Sequence, residues 1–172
     1  MIDRQDNMEP PAFWTTRETE KPVKFLLRLL GESLLFSSVV YSCLLLVLND
    51  GDSAESGADE KTTIALDLLF RHWFLLGVIA VPLVETIFLQ LIPMEIARRF
   101  SSRFWPQVLP SWILFAALHF TNSIQSGFAA GIIGGWYFAL TYYLFRFKSV
   151  RYASTATFIL HASSNFVLLC PD

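Results

Sequence analysis

Four residues of this 172-residue chain carry side chains suited to moving protons and holding a developing negative charge: Glu85, His119, His161 and Asn165. Each sits in an apolar stretch. Glu85 lies within Gly77-Val-Ile-Ala-Val-Pro-Leu-Val-Glu-Thr-Ile-Phe-Leu-Gln90, with no basic residue within a helical turn. His119 closes Phe115-Ala-Ala-Leu-His119, and the third segment runs His161-Ala-Ser-Ser-Asn165. Its i, i+4 spacing puts His161 and Asn165 on one helix face. Carboxylates and imidazoles act as general acids and bases, and imidazole or amide N–H groups act strongly on an oxyanion in a low-dielectric pocket. An ionisable group inside an apolar span is expensive and marks a functional site by default. Taken singly, each also has a plainer reading: an interhelical hydrogen bond for Glu85, a bonded interior ring for either histidine, packing for Asn165.

The elements that must position these groups follow from the distribution of charge. Of the residues, 53% are hydrophobic and only 16% charged, with a mean hydropathy of +0.46; an ordinary soluble domain has about 25% charged residues. Those figures argue against a disordered chain, a nucleic-acid binder and most soluble enzymes. Residues 33–49, 72–84, 86–94, 104–145 and 152–171 carry no Asp, Glu, Lys or Arg. A crossing needs about 20 apolar residues, so 104–145 is long enough for two.

The expected fold is therefore an all-α integral membrane protein, a bundle of about five transmembrane helices. The helices are expected at Phe25–Leu48, Trp73–Ile92 (with Thr62–Phe70 also helix-like), Trp105–Phe120, Gly127–Phe145 and Tyr152–Cys170. Residues 1–24 read as a polar tail without a cleavable signal peptide, and 25–170 as one membrane domain. Arg4, Arg17, Lys21, Lys24, Arg28, Arg98, Arg99, Arg103, Arg146, Lys148 and Arg151 fall on one side of a five-helix arrangement. Only Lys61 and Arg71 fall on the other, beside the acidic loop Asn49–Glu60. By the positive-inside rule the amino terminus is cytoplasmic and the carboxyl terminus external. The protein is expected to be multi-pass, in the plasma membrane if prokaryotic.

At 1.5 Å per residue, Glu85 lies roughly 12 Å from the end of its helix near Pro93, His119 about 16 Å above Val108, and His161 about 15 Å above Arg151. Three helices thus bring a carboxylate, two imidazoles and an amide to one layer. Elsewhere, Arg28 and Glu32 are spaced to pair along one face, and His72 is expected at a rim. Trp73, Trp105, Tyr142, Tyr143 and Tyr152 are expected as interfacial anchors. Gly127, Gly131 and Gly135 form a seam for close helix contact, either against the site-bearing helices or in a homo-oligomer. Cys43 and Cys170 read as apolar span residues rather than a disulfide. Two histidines with Glu85 and Asn165 are also a conceivable zinc set, but they come from three helices without a His-Glu-xx-His element, so no cofactor is expected.

Glu85-Thr86-xxx-Gln90, Phe115-xxx-His119 and His161-xxx-Asn165 resemble, in order and spacing, the three motifs of the CAAX-protease and bacteriocin-processing (Abi-type) family. Those motifs are Glu-Glu-xxx-Arg, Phe-xxx-His and His-xxx-Asn, and the likeness covers about residues 70–170. It implies an intramembrane glutamate-dependent endopeptidase. Glu85 would activate water, His119 would orient it, and His161 and Asn165 would hold the oxyanion. The substrate would be a lipidated, membrane-inserted or small precursor peptide among membrane lipids. Thr86 and Gln90 stand where the family has Glu and Arg. Both charges are replaced together, which implies a neutral, hydrogen-bonding supporting pair around Glu85. A non-catalytic immunity or regulatory relative is the alternative, and a proton-relay transporter a weaker one.

Overall fold

In a computed structural model, residues 21–48 and 74–169 are described. Most of the polar tail, the acidic loop 49–60, residues 61–73 (with Thr62–Phe70, His72 and Trp73) and Cys170 lie outside them. The described chain is all-helical, in five rods. They are α1 (Pro22–Leu48), α2 (Leu76–Phe100), α3 (Phe104–Phe120), α4 (Ile124–Phe145) and α5 (Val150–Leu169). Pro22–Val47, Leu76–Phe100 and Ile124–Phe145 are long and apolar enough to cross a membrane.

Helix starts follow ordinary capping chemistry. Pro22 opens α1 one turn before the expected Phe25, at a position where its missing N–H has no partner to lose. Ser123 accepts the Ser126 N–H at 3.0 Å to start α4. Ser149 accepts the Tyr152 N–H at 3.0 Å to start α5, as an N-cap serine does.

Helix α2 runs two turns beyond the expected end at Ile92, straight through Pro93. Its register explains how. Leu76–Ala80 and Thr86–Leu91 are π-helical, and α-helix resumes at Val81 and Ile92. The Val81 N–H reaches back five residues to Leu76, and the Ile92 N–H to Ile87. Pro82 and Pro93 follow at once, where the register changes and a helical N–H is dispensable.

The wide turns of the π segments leave carbonyls for neighbouring helices. Asn165 Nδ2 donates to Gly77 O at 2.8 Å, Ser111 Oγ to Leu89 O at 2.7 Å, Ser37 Oγ to Ala129 O at 2.9 Å and Trp112 Nε1 to Ile132 O at 2.7 Å. All four acceptors belong to the π segments of α2 and of α4, whose segment is Gly127–Gly134. In lipid, a freed backbone group must be met inside the protein.

The glycine seam joins α4 to α3 of the same chain. A Cβ on Gly131 would stand 3.0 Å from the Ala116 Cα and 2.9 Å from the His119 Cβ, and one on Gly135 would stand 2.8 Å from the Phe115 ring. Two expected anchors belong to the interior instead. Tyr142 and Tyr143 are buried, because Tyr142 turns its hydroxyl to Glu95 at 3.0 Å and Tyr143 packs edge-on to Phe104. Trp105 and Tyr152 remain exposed, as does Cys43. Arg28 pairs with Glu32 at 3.4 Å.

Candidate active site

Glu85 ends the short α-helical stretch between the two π segments of α2. This position turns it toward α5, where His161 Nε2 lies 3.3 Å from Glu85 Oε2. Among the described residues His161 is its one polar partner. With a carboxylate on that side, Nε2 carries the hydrogen and Nδ1 the lone pair. The His161 ring is 2% exposed. It stacks on Phe138 of α4, centroids 4.2 Å apart, and meets the edge of Phe115 of α3 at 5.5 Å. Three helices thus fix the ring that holds Glu85.

His119 lies on α3, one turn above Phe115 and stacked on its ring at 4.3 Å. Its Nδ1 is 3.0 Å from the Phe115 carbonyl. A carbonyl only accepts, so Nδ1 keeps the hydrogen and Nε2 keeps the lone pair. His119, His161 and Asn165 line one cavity of about 30 Å³, with Phe138 of α4 and Ser33 and Ser37 of α1. That is room for about one or two waters. Glu85 is not part of the lining and meets the cavity through His161.

Asn165 has a structural duty as well. In the register that sends the Val81 N–H to Leu76, the next donor would come from residue 82, which is proline. The Gly77 carbonyl is thereby left open, and Asn165 Nδ2 occupies it. The amide's second N–H remains for the cavity.

The supporting residues differ from expectation. Thr86 and Gln90 are both buried, but they do not bond each other. The Gln90 amide bonds Ser111 of α3 instead. Thr86 Oγ1 has no partner among the described residues.

Sequence reasoning passed over a polar clasp at the basic end. Glu95 Oε1 accepts from Arg146 Nε and Oε2 from Arg146 Nη2 at 3.1 Å, and Tyr142 adds its hydroxyl. Arg98 donates to Gln107 Oε1 at 3.2 Å, and Gln107 Nε2 donates to the Ser101 carbonyl at 3.0 Å. This ties α2, α3 and α4 together. The available signal was Glu95 itself, an acid set among arginines whose positions the topology rule already explained. Among the described residues, no three His, Cys, Asp or Glu side chains are grouped to hold a metal.

Against known families, the model described as type II CAAX prenyl endopeptidase, Rce1-like, matches residues 67–167. No curated protein and no solved structure matches the chain.

Proposed function

Because this chain belongs to the Rce1-like family of type II CAAX prenyl endopeptidases, a family of membrane proteases, we propose that it hydrolyses a peptide bond inside the bilayer with water activated by Glu85. The observation that carries this reading is the Glu85–His161 contact of 3.3 Å beside a cavity of water size. A carboxylate is thereby set next to polar room inside the bundle.

The proposed steps balance as follows. Glu85 takes a proton from water, and the hydroxide oxygen forms a bond to the substrate carbonyl carbon. His119 lines the cavity, and its Nε2 lone pair would accept a hydrogen bond from the O–H that stays on that oxygen and so orient it. In the resting site the His161 N–H holds Glu85. Once Glu85 is protonated it competes less for that N–H, which then serves the oxyanion together with the second N–H of Asn165. Glu85 returns the proton to the leaving nitrogen as the C–N bond breaks, giving a carboxylic acid and an amine. The proposed site is metal-free, because among the described residues no three His, Cys, Asp or Glu side chains are grouped to hold an ion.

The proposed arrangement is multi-pass, with all five rods in the membrane and the basic end cytoplasmic. The proposed substrate is a lipidated or membrane-inserted peptide. The test is cleavage of a farnesylated peptide ending in a CAAX sequence, in proteoliposomes, by the wild type, Glu85→Gln and His119→Ala. Loss of a positioned proton-transfer group is expected to cost about 10²–10⁴-fold. Unchanged cleavage by Glu85→Gln would overturn the mechanism and favour a relative that acts by binding.

A further inference from the structure

One helical turn nearer the basic end than the Glu85–His161 pair lies a second polar layer that the proposed chemistry leaves unused. Gln90 follows Glu85 by five residues on π-helical α2, and Ser111 precedes Phe115 by four on α3. Thr141 follows Phe138 by three on α4, and Thr157 precedes His161 by four on α5. The upper level is fixed by contact. His161 stacks on Phe138, and Phe115 meets both rings edge-on at 5.5 Å. The four residues one turn away therefore share a level, one from each helix. All four are fully buried.

A central layer of a membrane bundle built from an amide and three hydroxyls must have its hydrogen bonds met. Inside this layer the Gln90 amide bonds Ser111. The Thr141 and Thr157 hydroxyls and one polar atom of the Gln90 amide find no partner among the described residues, nor do the Thr86 hydroxyl and the His161 Nδ1, each one turn away on the same helices. A helical serine or threonine ordinarily returns its hydroxyl to the carbonyl four residues back. On α5, Ser154 does so at 2.9 Å and Ser164 at 3.0 Å. Thr157, between them, does not. Met94, also fully buried, lies one turn beyond Gln90, and the Glu95–Tyr142–Arg146 clasp follows at the end of the bundle.

We propose that the layer of Gln90, Ser111, Thr141 and Thr157 is a buried water-binding site that supplies Glu85 from the basic end of the bundle. The ligand class follows from the groups. They mix donors and acceptors, without the carboxylates a cation needs or the cationic groups an anion needs. Water meets such a set with two to four hydrogen bonds. Hydrolysis consumes one water per bond cut, and a lipid-facing surface cannot replace it. The supply role rests on the peptidase reading; the binding site itself does not.

The experiment uses the full chain in proteoliposomes and water as the probe. Hydroxyl radicals made by a synchrotron X-ray pulse oxidise side chains beside bound water. Met94 is expected to be oxidised although it is fully buried, and that oxidation is expected to fall in Thr141→Val/Thr157→Val and persist in Thr141→Ser/Thr157→Ser. Cleavage is expected to drop about tenfold in the valine pair, the effect of lost hydrogen bonds to an ordered water, and to survive in the serine pair. The single variant Thr157→Val serves if the pair does not fold. Met94 left unmodified in the wild type, or equally modified in the valine variant, overturns the site. A dry footprint with raised thermal stability in the valine pair identifies plain packing and overturns it too. Normal cleavage by the valine pair overturns the supply role. If Glu85→Gln cleaves normally, the peptidase reading fails while the footprint still decides the water site.

Discussion

Gly131 is where the positioning of the site is most open to a single-atom perturbation. Gly131→Ala adds one methyl group that would stand 3.0 Å from the Ala116 Cα, 3.2 Å from the Ala116 carbonyl oxygen and 2.9 Å from the His119 Cβ. Ordinary contact begins near 3.4 Å, so α3 and α4 must part by about half an ångström. Two of the three atoms are backbone and cannot swing away. Overpacking of this kind costs about 1–3 kcal/mol, against a gain of about 0.5–1 kcal/mol for alanine over glycine in a helix. The net expectation is a loss of about 1 kcal/mol, with His119 displaced from the cavity. Misplacement by about 1 Å can cost about 10²-fold in rate, so cleavage should fall further than stability does. Gly134→Ala, three residues along the same helix, is the control. Its nearest neighbours would be the Phe138 ring at 3.5 Å and the Ala129 carbonyl at 3.9 Å, ordinary contacts. Thermal unfolding in detergent and cleavage in proteoliposomes, measured on both variants, form the assay. Equal behaviour of Gly131→Ala and Gly134→Ala would refute the claim that the seam sets the position of His119.

Three further outcomes are expected. Arg146→Met removes both guanidinium bonds to Glu95, which keeps the Tyr142 hydroxyl and Arg98 at 3.9 Å, and is expected to cost about 2 kcal/mol by denaturant titration, the scale of a hydrogen bond to a charged group; Glu95→Gln/Arg146→Met should cost less than the sum of the single changes. Asn165→Leu should lower the unfolding temperature, and Pro82→Ala in the same chain should restore part of it by giving Gly77 a backbone N–H; strictly additive effects would show that the two do not share that carbonyl. A strong chelator should leave peptide cleavage unchanged, and inhibition reversed by added zinc would replace the metal-free site with a metal-assisted one.

The helices themselves were legible because charge is confined to their ends. Runs without Asp, Glu, Lys or Arg marked α1, α3, α4 and α5 to within about a turn at each end, and α2 at its start. The error at α2 had a physical source. A proline at residue 93 reads as a stop when the register is α-helical, and ceases to be one when a π segment precedes it. Nothing in a one-residue pattern reveals that register. Thr86 and Gln90 are spaced to pair along one helix face, and no spacing within α2 reveals that Ser111 of another helix takes the Gln90 amide. Tyr142 and Tyr143 were read as rim anchors because aromatic residues near a helix end usually are, whereas a partly buried acid at residue 95 draws the Tyr142 hydroxyl inward.

Scarcity of charge singles out Glu85 and says little of its surroundings. A lone carboxylate in an apolar run stands out, whereas Glu95 among three arginines looks like topology. Uncharged polar residues are harder still, since Ser111, Thr141 and Thr157 sit in runs that count as apolar. Their significance appears when the helices are assembled and each proves fully buried at one level. The π segments connect these facts. They tolerate two prolines in α2 and open the Gly77 and Leu89 carbonyls to Asn165 and Ser111. They also turn Glu85 to His161 and Gln90 to α3. A variant that returned α2 to continuous α-helix would therefore dismantle the pair and the polar layer together. Deleting one residue from Thr86–Leu91 is expected to abolish cleavage while leaving the helix content unchanged by circular dichroism. Cleavage retained by that deletion would show that the π register does not position the site.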